Sequence, residues 1–139
     1  MPDAAAAPAV GAVGYAPIDE LHLEFEQLAA QLAAGDDLPA TLDALLEHID
    51  RHFGLEERLM SACAFPMLGC HAREHASVHE VVAEVRRRHA AGEPEFAQRL
   101  AEALPQWFAL HASTMDAALA HYLAGREDII ARRDAAGPA

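Results

Sequence analysis

The chain has 139 residues, a length that fits one domain with a sizeable buried core. Aromatic residues make up only 6% of the sequence, and much of its 53% hydrophobic content is alanine, a strong helix former. This composition predicts an all-α fold. The net charge of −12 argues against a nucleic acid or an anionic membrane surface as a partner.

The sequence also contains features that bear on the cellular compartment. No segment reaches the roughly 18 uninterrupted apolar residues that a membrane-spanning helix needs. The N-terminus lacks a basic region followed by a continuous apolar run, so it does not match a secretion signal. Cys63 and Cys70 are the only cysteines, and their spacing fits no zinc or redox motif, so we expect two reduced thiols. Together these features predict a cytoplasmic protein.

Four amphipathic helical segments are predicted between two terminal segments. Residues 1–16 are rich in Ala, Pro and Gly without a period, which is typical of a flexible arm. The helical domain is predicted to span residues 17–125, and residues 126–139 form a C-terminal tail. Short Gly- and Pro-containing connections favour antiparallel neighbours, which predicts an up-down-up-down four-helix bundle. In the fourth segment Pro105 predicts a split or kink, and Gly125 stands at a C-cap position.

Histidines and a glutamate recur on the predicted buried stripes of the first three helices. Residues i and i+4 of a helix share a face, so His52 and Glu56 point the same way, as do His71 and His75. His22 lies on the buried stripe of the first helix. The sequence therefore predicts that imidazole and carboxylate groups converge inside the bundle.

The third helix offers two histidine pairs, because His75 and His79 are also four residues apart. The apolar stripe of this helix aligns with His71 and His75 and leaves His79 at its edge; the stripe consists of Val78, Val82 and Val85. We therefore expect His79 to flank the cluster or to lie behind it. His48, one turn before His52, fits a core position and a supporting hydrogen-bond donor equally well.

His111 and Asp116 in the fourth helix are five residues apart, a separation that turns about 140° on a regular α-helix. Their side chains would then diverge. A π-bulge, which adds one residue to a turn, would bring both onto one face and would swing Leu119 and Leu123 inward. The spacing therefore predicts a local distortion between His111 and Asp116.

Imidazole and carboxylate groups are ligands of iron, zinc, copper and nickel. The set is too large for one tetrahedral zinc ion and about right for two linked metal ions. Without a metal, so many buried polar groups would lack partners. The candidate ligands are His22, His52, Glu56, His71, His75, His111 and Asp116.

The segments that carry these residues resemble those of the hemerythrin family over about residues 14–124. They are IDELH (18–22), HFGLEERLM (52–60), FPMLGCHAREH (65–75) and WFALHASTMD (107–116). The resemblance implies a non-haem di-iron site with a bridging oxo or hydroxo group. One iron would be held by His71, His75 and His111. The other would be held by His22 and His52, and Glu56 and Asp116 would bridge the two.

The resemblance further implies reversible binding of dioxygen, for carriage, storage or delivery, rather than catalysis. Dioxygen would bind at the open position of the two-histidine iron. Apolar side chains would keep water out of that position; the candidates are Phe25, Ile49, Trp107 and Phe108. His48 departs from the family pattern, in which this position is often aromatic. The sequence does not identify a protein that accepts the dioxygen.

Other functions are compatible with parts of the pattern. A di-iron site also serves redox enzymes or sensors that act on nitric oxide or peroxide, and iron-handling proteins. The segment His71-Ala-Arg-Glu74-His75 matches the H-x-x-E-H signature of a zinc protease, with Glu74 as the general base. The protease hypothesis leaves the histidines of the other three helices without a purpose.

Overall fold

The protein forms a helical bundle in a computed structural model that describes residues 11–126. Its elements are α1 (Ala16–Ala34), α2 (Leu38–Ala62), α3 (Leu68–Ala90), α4 (Glu95–His111), a π-helix (Ala112–Asp116) and α5 (Ala117–Leu123). The last three continue one another as a single fourth rod. Each rod packs against its neighbour in sequence, and α4 also packs against α1, which closes the bundle. Within the described residues there is no strand, so the predicted all-α four-helix fold is confirmed.

Local chemistry explains where the helices end. Gly35 adopts a φ of 75° after α1, and its N–H donates to the Leu32 carbonyl. Gly125 likewise adopts a left-handed conformation after α5, as predicted for a C-terminal cap. No helix among residues 11–126 is long and apolar enough to cross a membrane. Cys63 is buried and Cys70 is exposed, and both are free thiols, as expected.

Of the split or kink predicted at Pro105, the split is wrong, because α4 continues through this residue as an α-helix. Proline removes one N–H from the helix and crowds the preceding turn. Leu104 and Phe108 on either side of it are almost fully buried, at 3% exposure each. Their packing against the core holds the helix together across the missing hydrogen bond.

The predicted distortion between His111 and Asp116 is confirmed, because Ala112–Asp116 form a π-helix. The extra residue in this turn shifts the buried face of everything that follows. Leu119 and Leu123 are consequently buried completely. A regular α-helix would instead have turned Asp116 away from His111.

The chain packs against the bundle before the predicted boundary at residue 16. Gly11 is buried, and the backbone N–H of Val13 donates to an Asp19 carboxylate oxygen at 2.6 Å. Ala16 is already the first residue of α1. The contact joins the residues before α1 to α1 itself. The composition of residues 1–16 alone could therefore not indicate it. The rest of the predicted arm, residues 1–10, and the tail from residue 127 lie outside the described residues.

The interior consists of two apolar clusters with a polar layer between them. One cluster includes Phe25, Ile49 and Phe108, and the other includes Ile18 and Leu119. Along every rod the candidate ligands lie between residues of the two clusters. The bundle therefore buries its polar layer away from the surface.

Insertion of one alanine after Ser113, an exposed residue of the π-helix, should destabilise the fold. The π-turn already holds one extra residue, so a second one rotates the following face by about 100° and turns Asp116, Leu119 and Leu123 out of the interior. We expect the free energy of unfolding to fall by about 3 kcal/mol or more, as measured by urea denaturation. Ser113→Ala is the control and should change it by less than about 0.5 kcal/mol. Equal stability of the two variants would contradict a structural role of the π-turn.

Candidate metal centre

All the predicted ligand side chains converge in the polar layer, each with at most 2% of its surface exposed. Their nitrogen and oxygen atoms form two groups, each within 4.8 Å, and the groups share both carboxylates. The first group is Glu56, His71, His75, His111 and Asp116. The second is His22, His52, Glu56 and Asp116. The structure thus brings together every residue in the predicted ligand set, and its division matches the three-and-two split that the resemblance implies.

Glu56 faces both groups with different oxygens. Its Oε1 lies 3.3 Å from His71 Nε2 and 3.2 Å from His75 Nε2. Its Oε2 lies 2.8 Å from His52 Nε2 and 3.5 Å from His22 Nε2. A carboxylate placed in this way can contribute one oxygen to each of two neighbouring cations.

Asp116 repeats this arrangement from the opposite rod. Its Oδ1 lies 2.9 Å from His71 Nε2 and 3.1 Å from His111 Nε2, and its Oδ2 lies 2.9 Å from His22 Nε2. The π-turn makes this geometry possible, because it puts Asp116 and His111 on the same face. Two carboxylates therefore span the two groups of histidines.

The ring nitrogens of the first group face one another. His111 Nε2 lies 3.2 Å from His71 Nε2 and 3.3 Å from His75 Nε2. A neutral imidazole whose proton is on Nδ1 has only a lone pair on Nε2, so three such rings cannot donate hydrogen bonds to one another through Nε2. The buried Oε1 of Glu56 and both carboxylate oxygens of Asp116 also lack partners with hydrogen-bond geometry among the described residues. Cations with nitrogen and oxygen ligands would satisfy all of these atoms, so the residues present fit a pair of metal ions.

The outer ring nitrogens of four of these histidines face polar partners on other parts of the chain. The Nδ1 atom of His22 lies 2.6 Å from the Gly11 carbonyl oxygen, and that of His52 lies 3.1 Å from His48 Nε2. The Nδ1 atoms of His75 and His111 lie 2.9 Å from Glu57 Oε2 and 3.1 Å from Glu74 Oε1, respectively. An acceptor at Nδ1 keeps the proton there and directs the Nε2 lone pair inward. The spacing of the histidines gave no indication of Gly11, Glu57 or this role of Glu74.

The position of Glu74 also counts against the zinc-protease hypothesis. Its Oε1 accepts from the indole N–H of Trp107 at 2.9 Å and lies beside the outer nitrogen of His111. A general base would instead face the inner side of the cluster, where a metal-bound water would lie. Glu74 therefore supports His111 from behind. His79, as expected, flanks the cluster, at the surface beside Asp50.

His48 and Glu24 extend the contacts of His52 toward the surface. His48 Nδ1 lies 2.7 Å from Glu24 Oε2, and Arg51 donates to both oxygens of Glu24. The Arg51 guanidinium lowers the pKa of Glu24 and keeps it ionised. Burial lowers the pKa of His48 to about 4, so its ring is neutral at neutral pH. His48 thus lies in the core and also in hydrogen-bond contact with a candidate ligand.

The predicted pocket residues pack in or against one apolar cluster, but they border different ligand groups. Phe25 and Phe108 stack at 4.6 Å between ring centroids, and Phe108 meets the edge of His22 at 4.9 Å. Trp107 instead stacks on His111 at 4.6 Å, beside the three-histidine group. Ile49 packs in the same apolar cluster as Phe25 and Phe108.

Phe53 makes an aromatic contact with the centre that the sequence pattern does not indicate. Its ring stacks on His75 at 3.9 Å and also contacts His52 at 5.2 Å between centroids. Its position directly after His52 gave no signal, because adjacent residues on a helix point in different directions. Phe53 thus packs against one histidine of each group.

The two carboxylates hold protons on neighbouring imidazoles in the metal-free protein. Burial opposes a charge on His22, but the Asp116 and Glu56 carboxylates outweigh it and raise its pKa to about 10. The same balance raises the pKa of His71 to about 9. Although burial opposes their ionisation, the surrounding histidines lower the pKa of Asp116 to about 2 and that of Glu56 well below its usual value. The centre therefore attracts cations, and protons compete for its ligands.

Fold and site together define a four-helix bundle that presents two linked groups of candidate metal ligands. The family described as hemerythrin HHE cation binding domain matches residues 13–123, most of the chain. A bacteriohemerythrin of Ralstonia nicotianae (strain ATCC BAA-1114 / GMI1000) is 40% identical over 116 residues, which cover 82% of this chain and 85% of the relative. The chain belongs to the hemerythrin family, as the sequence motifs predicted.

Metal binding should release protons and strengthen as the pH rises. At pH 7 His22 and His71 carry protons, with pKa values of about 10 and 9, and a metal ion must displace them. We expect the release of about two protons when the centre fills, measured by titration calorimetry in buffers of different ionisation enthalpy. The stability of the metal-free protein should change in the opposite direction and fall as the pH rises. The imidazolium groups stabilise the fold below the ordinary pKa of 6.5, and this contribution is lost as the pH rises through 9 and 10. Metal binding without proton release would contradict this electrostatic picture.

Gly11→Ala should loosen the segment that supports His22. A Cβ at this position would lie 2.6 Å from Phe108 Cζ and 3.1 Å from His22 Cβ, so the backbone must move away. We expect a loss of about 1–3 kcal/mol of stability and about tenfold weaker binding of one metal ion, measured by denaturation and by metal titration. Gly54→Ala adds the same methyl group where it meets only Arg58 at 3.4 Å, and it should cause neither loss.

Proposed function

We propose that this chain binds dioxygen reversibly at two iron ions held by the two ligand groups, with a bridging oxo or hydroxo group between them. The observation that carries the proposal is the way both carboxylates are shared. Glu56 and Asp116 each direct one oxygen to the three-histidine group and the other to the two-histidine group. This arrangement suits two adjacent metal ions that act together.

The unequal number of histidines gives the two groups different capacities. His71, His75 and His111 supply three imidazoles to one group, whereas His22 and His52 supply two to the other. The second group therefore has one protein ligand fewer and leaves room for a small ligand. The iron ions, when bound, supply the electrons that reversible dioxygen binding requires.

The apolar surroundings support binding rather than further reaction. Phe108 and Phe25, both almost fully buried, border the two-histidine group and exclude water from it. Among residues 11–126 the buried polar side chains are the ligand set, His48 and Thr41, and they include no lysine or arginine. No buried lysine or arginine of this described region could therefore deliver a proton to a bound oxygen molecule, which favours its release unchanged. Membership of the hemerythrin family agrees with this proposal.

The proposal is tested with protein loaded with iron(II) under anaerobic conditions. We expect two iron ions per chain and a visible charge-transfer band that appears with dioxygen and disappears when dioxygen is removed. His52→Gln should abolish the reversible band, because it removes one of the two imidazoles of the second group. His79→Gln is the matched control, since His79 is 46% exposed and flanks the centre, and it should leave the band unchanged.

Three results would contradict the proposal. One is a single zinc ion per chain with no visible band. Another is a band that forms with dioxygen and does not reverse. The third is steady turnover of peroxide or nitric oxide by the iron-loaded chain, which would identify a redox enzyme.

A further inference from the structure

A chain of contacts connects the two-histidine group to the surface through side chains that are not themselves candidate ligands. His52 Nδ1 lies 3.1 Å from His48 Nε2, and His48 Nδ1 lies 2.7 Å from a Glu24 carboxylate oxygen. Arg51 donates to both oxygens of Glu24, at 3.3 and 3.0 Å. His48 is fully buried, whereas Glu24 is 42% exposed. The contacts thus run from the metal centre to solvent without a gap.

The direction of the hydrogen bonds follows from the two ends of this chain. Glu24 is ionised and can only accept, so His48 Nδ1 carries the proton between them. A neutral His48 then has a lone pair on Nε2 and accepts from the Nδ1–H of His52. His52 is left with a lone pair on Nε2, which is the nitrogen that faces the centre. The contacts therefore select the one tautomer of His52 that can bind a metal ion.

We propose that His48 is a positioning residue for the two-histidine metal site: it orients His52, fixes its tautomer and connects it to the charge of Glu24. This inference rests on the proposed dimetal centre. A ligating histidine whose outer N–H donates to a carboxylate becomes a stronger donor to the metal. Here the carboxylate lies one ring further out, and His48 passes its polarising effect on to His52. Arg51 keeps Glu24 in place for this purpose.

A matched set of variants separates this role from packing. His48→Leu removes both hydrogen bonds. His48→Gln retains an amide oxygen that can accept from His52 while giving up the link to Glu24. Glu24→Gln removes only the charge at the exposed end. Asp43→Asn is the control, because it breaks a comparable surface pair with Arg86.

The first measurement is an anaerobic titration of each metal-free variant with Co²⁺, followed by its visible absorption. We expect the wild-type chain to bind two ions. His48→Leu should weaken Co²⁺ binding at one of the two sites by about 10–100-fold and leave the other site unchanged. His48→Gln should recover part of this affinity. Glu24→Gln should cause a smaller loss of affinity than His48→Leu.

The second measurement is the midpoint potential of the iron-loaded protein. It should rise in His48→Leu and Glu24→Gln, because weaker donation favours the reduced metal, and Asp43→Asn should change neither quantity.

The inference would be overturned if His48→Leu and His48→Gln lost the same Co²⁺ affinity and Glu24→Gln left the midpoint potential unchanged. His48 would then act only through packing. Unchanged affinity and potential in His48→Leu would also overturn it. The Co²⁺ titration does not involve dioxygen, so it separates this inference from the proposed function. A wild-type chain that binds two ions without a reversible oxygen band would contradict the function alone.

Discussion

The structure depends on the burial of two carboxylates within one layer of imidazoles. Glu56 and Asp116 are completely buried, and each lies close to histidines of both ligand groups. The removal of ionised carboxylates from water costs on the order of several kcal/mol of free energy unless positive charge is buried with them. In the metal-free protein that charge comes from protons on His22 and His71, whose pKa values are raised for this reason. Metal ions would replace the protons, so the same electrostatic demand accounts for the folded layer and for its affinity for cations.

The helical register meets this demand in two ways. In α2 and α3 the regular i, i+4 repeat aims pairs of side chains at the centre. In the fourth rod the ligands are five residues apart, and the π-turn compensates by the insertion of one residue. The turn also sets the apolar face of α5, because Leu119 and Leu123 fill the cluster beyond the centre. One local irregularity therefore serves both the ligand geometry and the packing of the bundle end.

The parts of the molecule that follow a repeat within one helix could be predicted from the sequence. The pairs on α2 and α3, and even the distortion before Asp116, follow from spacing alone. Contacts between different helices could not be predicted, because they depend on how each helix is rotated and inclined. Gly11 beneath His22 and Glu57 beside His75 are contacts of that kind. Pro105 is a case in which the local preference predicts the wrong structure. Proline disfavours a helix interior, but the buried neighbours of Pro105 keep α4 helical through it.

The outer partners add a second asymmetry to the unequal number of histidines. Behind the three-histidine group, His75 and His111 face the carboxylates of Glu57 and Glu74 directly. Behind the two-histidine group, His22 faces a backbone carbonyl, and His52 faces the neutral ring of His48. Direct carboxylate contact strengthens a histidine ligand more than a neutral acceptor does. The group with fewer candidate ligands thus also has the weaker donors, so a cation held there would retain more of its attraction for an additional ligand. In a centre that holds two cations, donor number and donor strength would therefore direct a small molecule to the same side, next to Phe25 and Phe108.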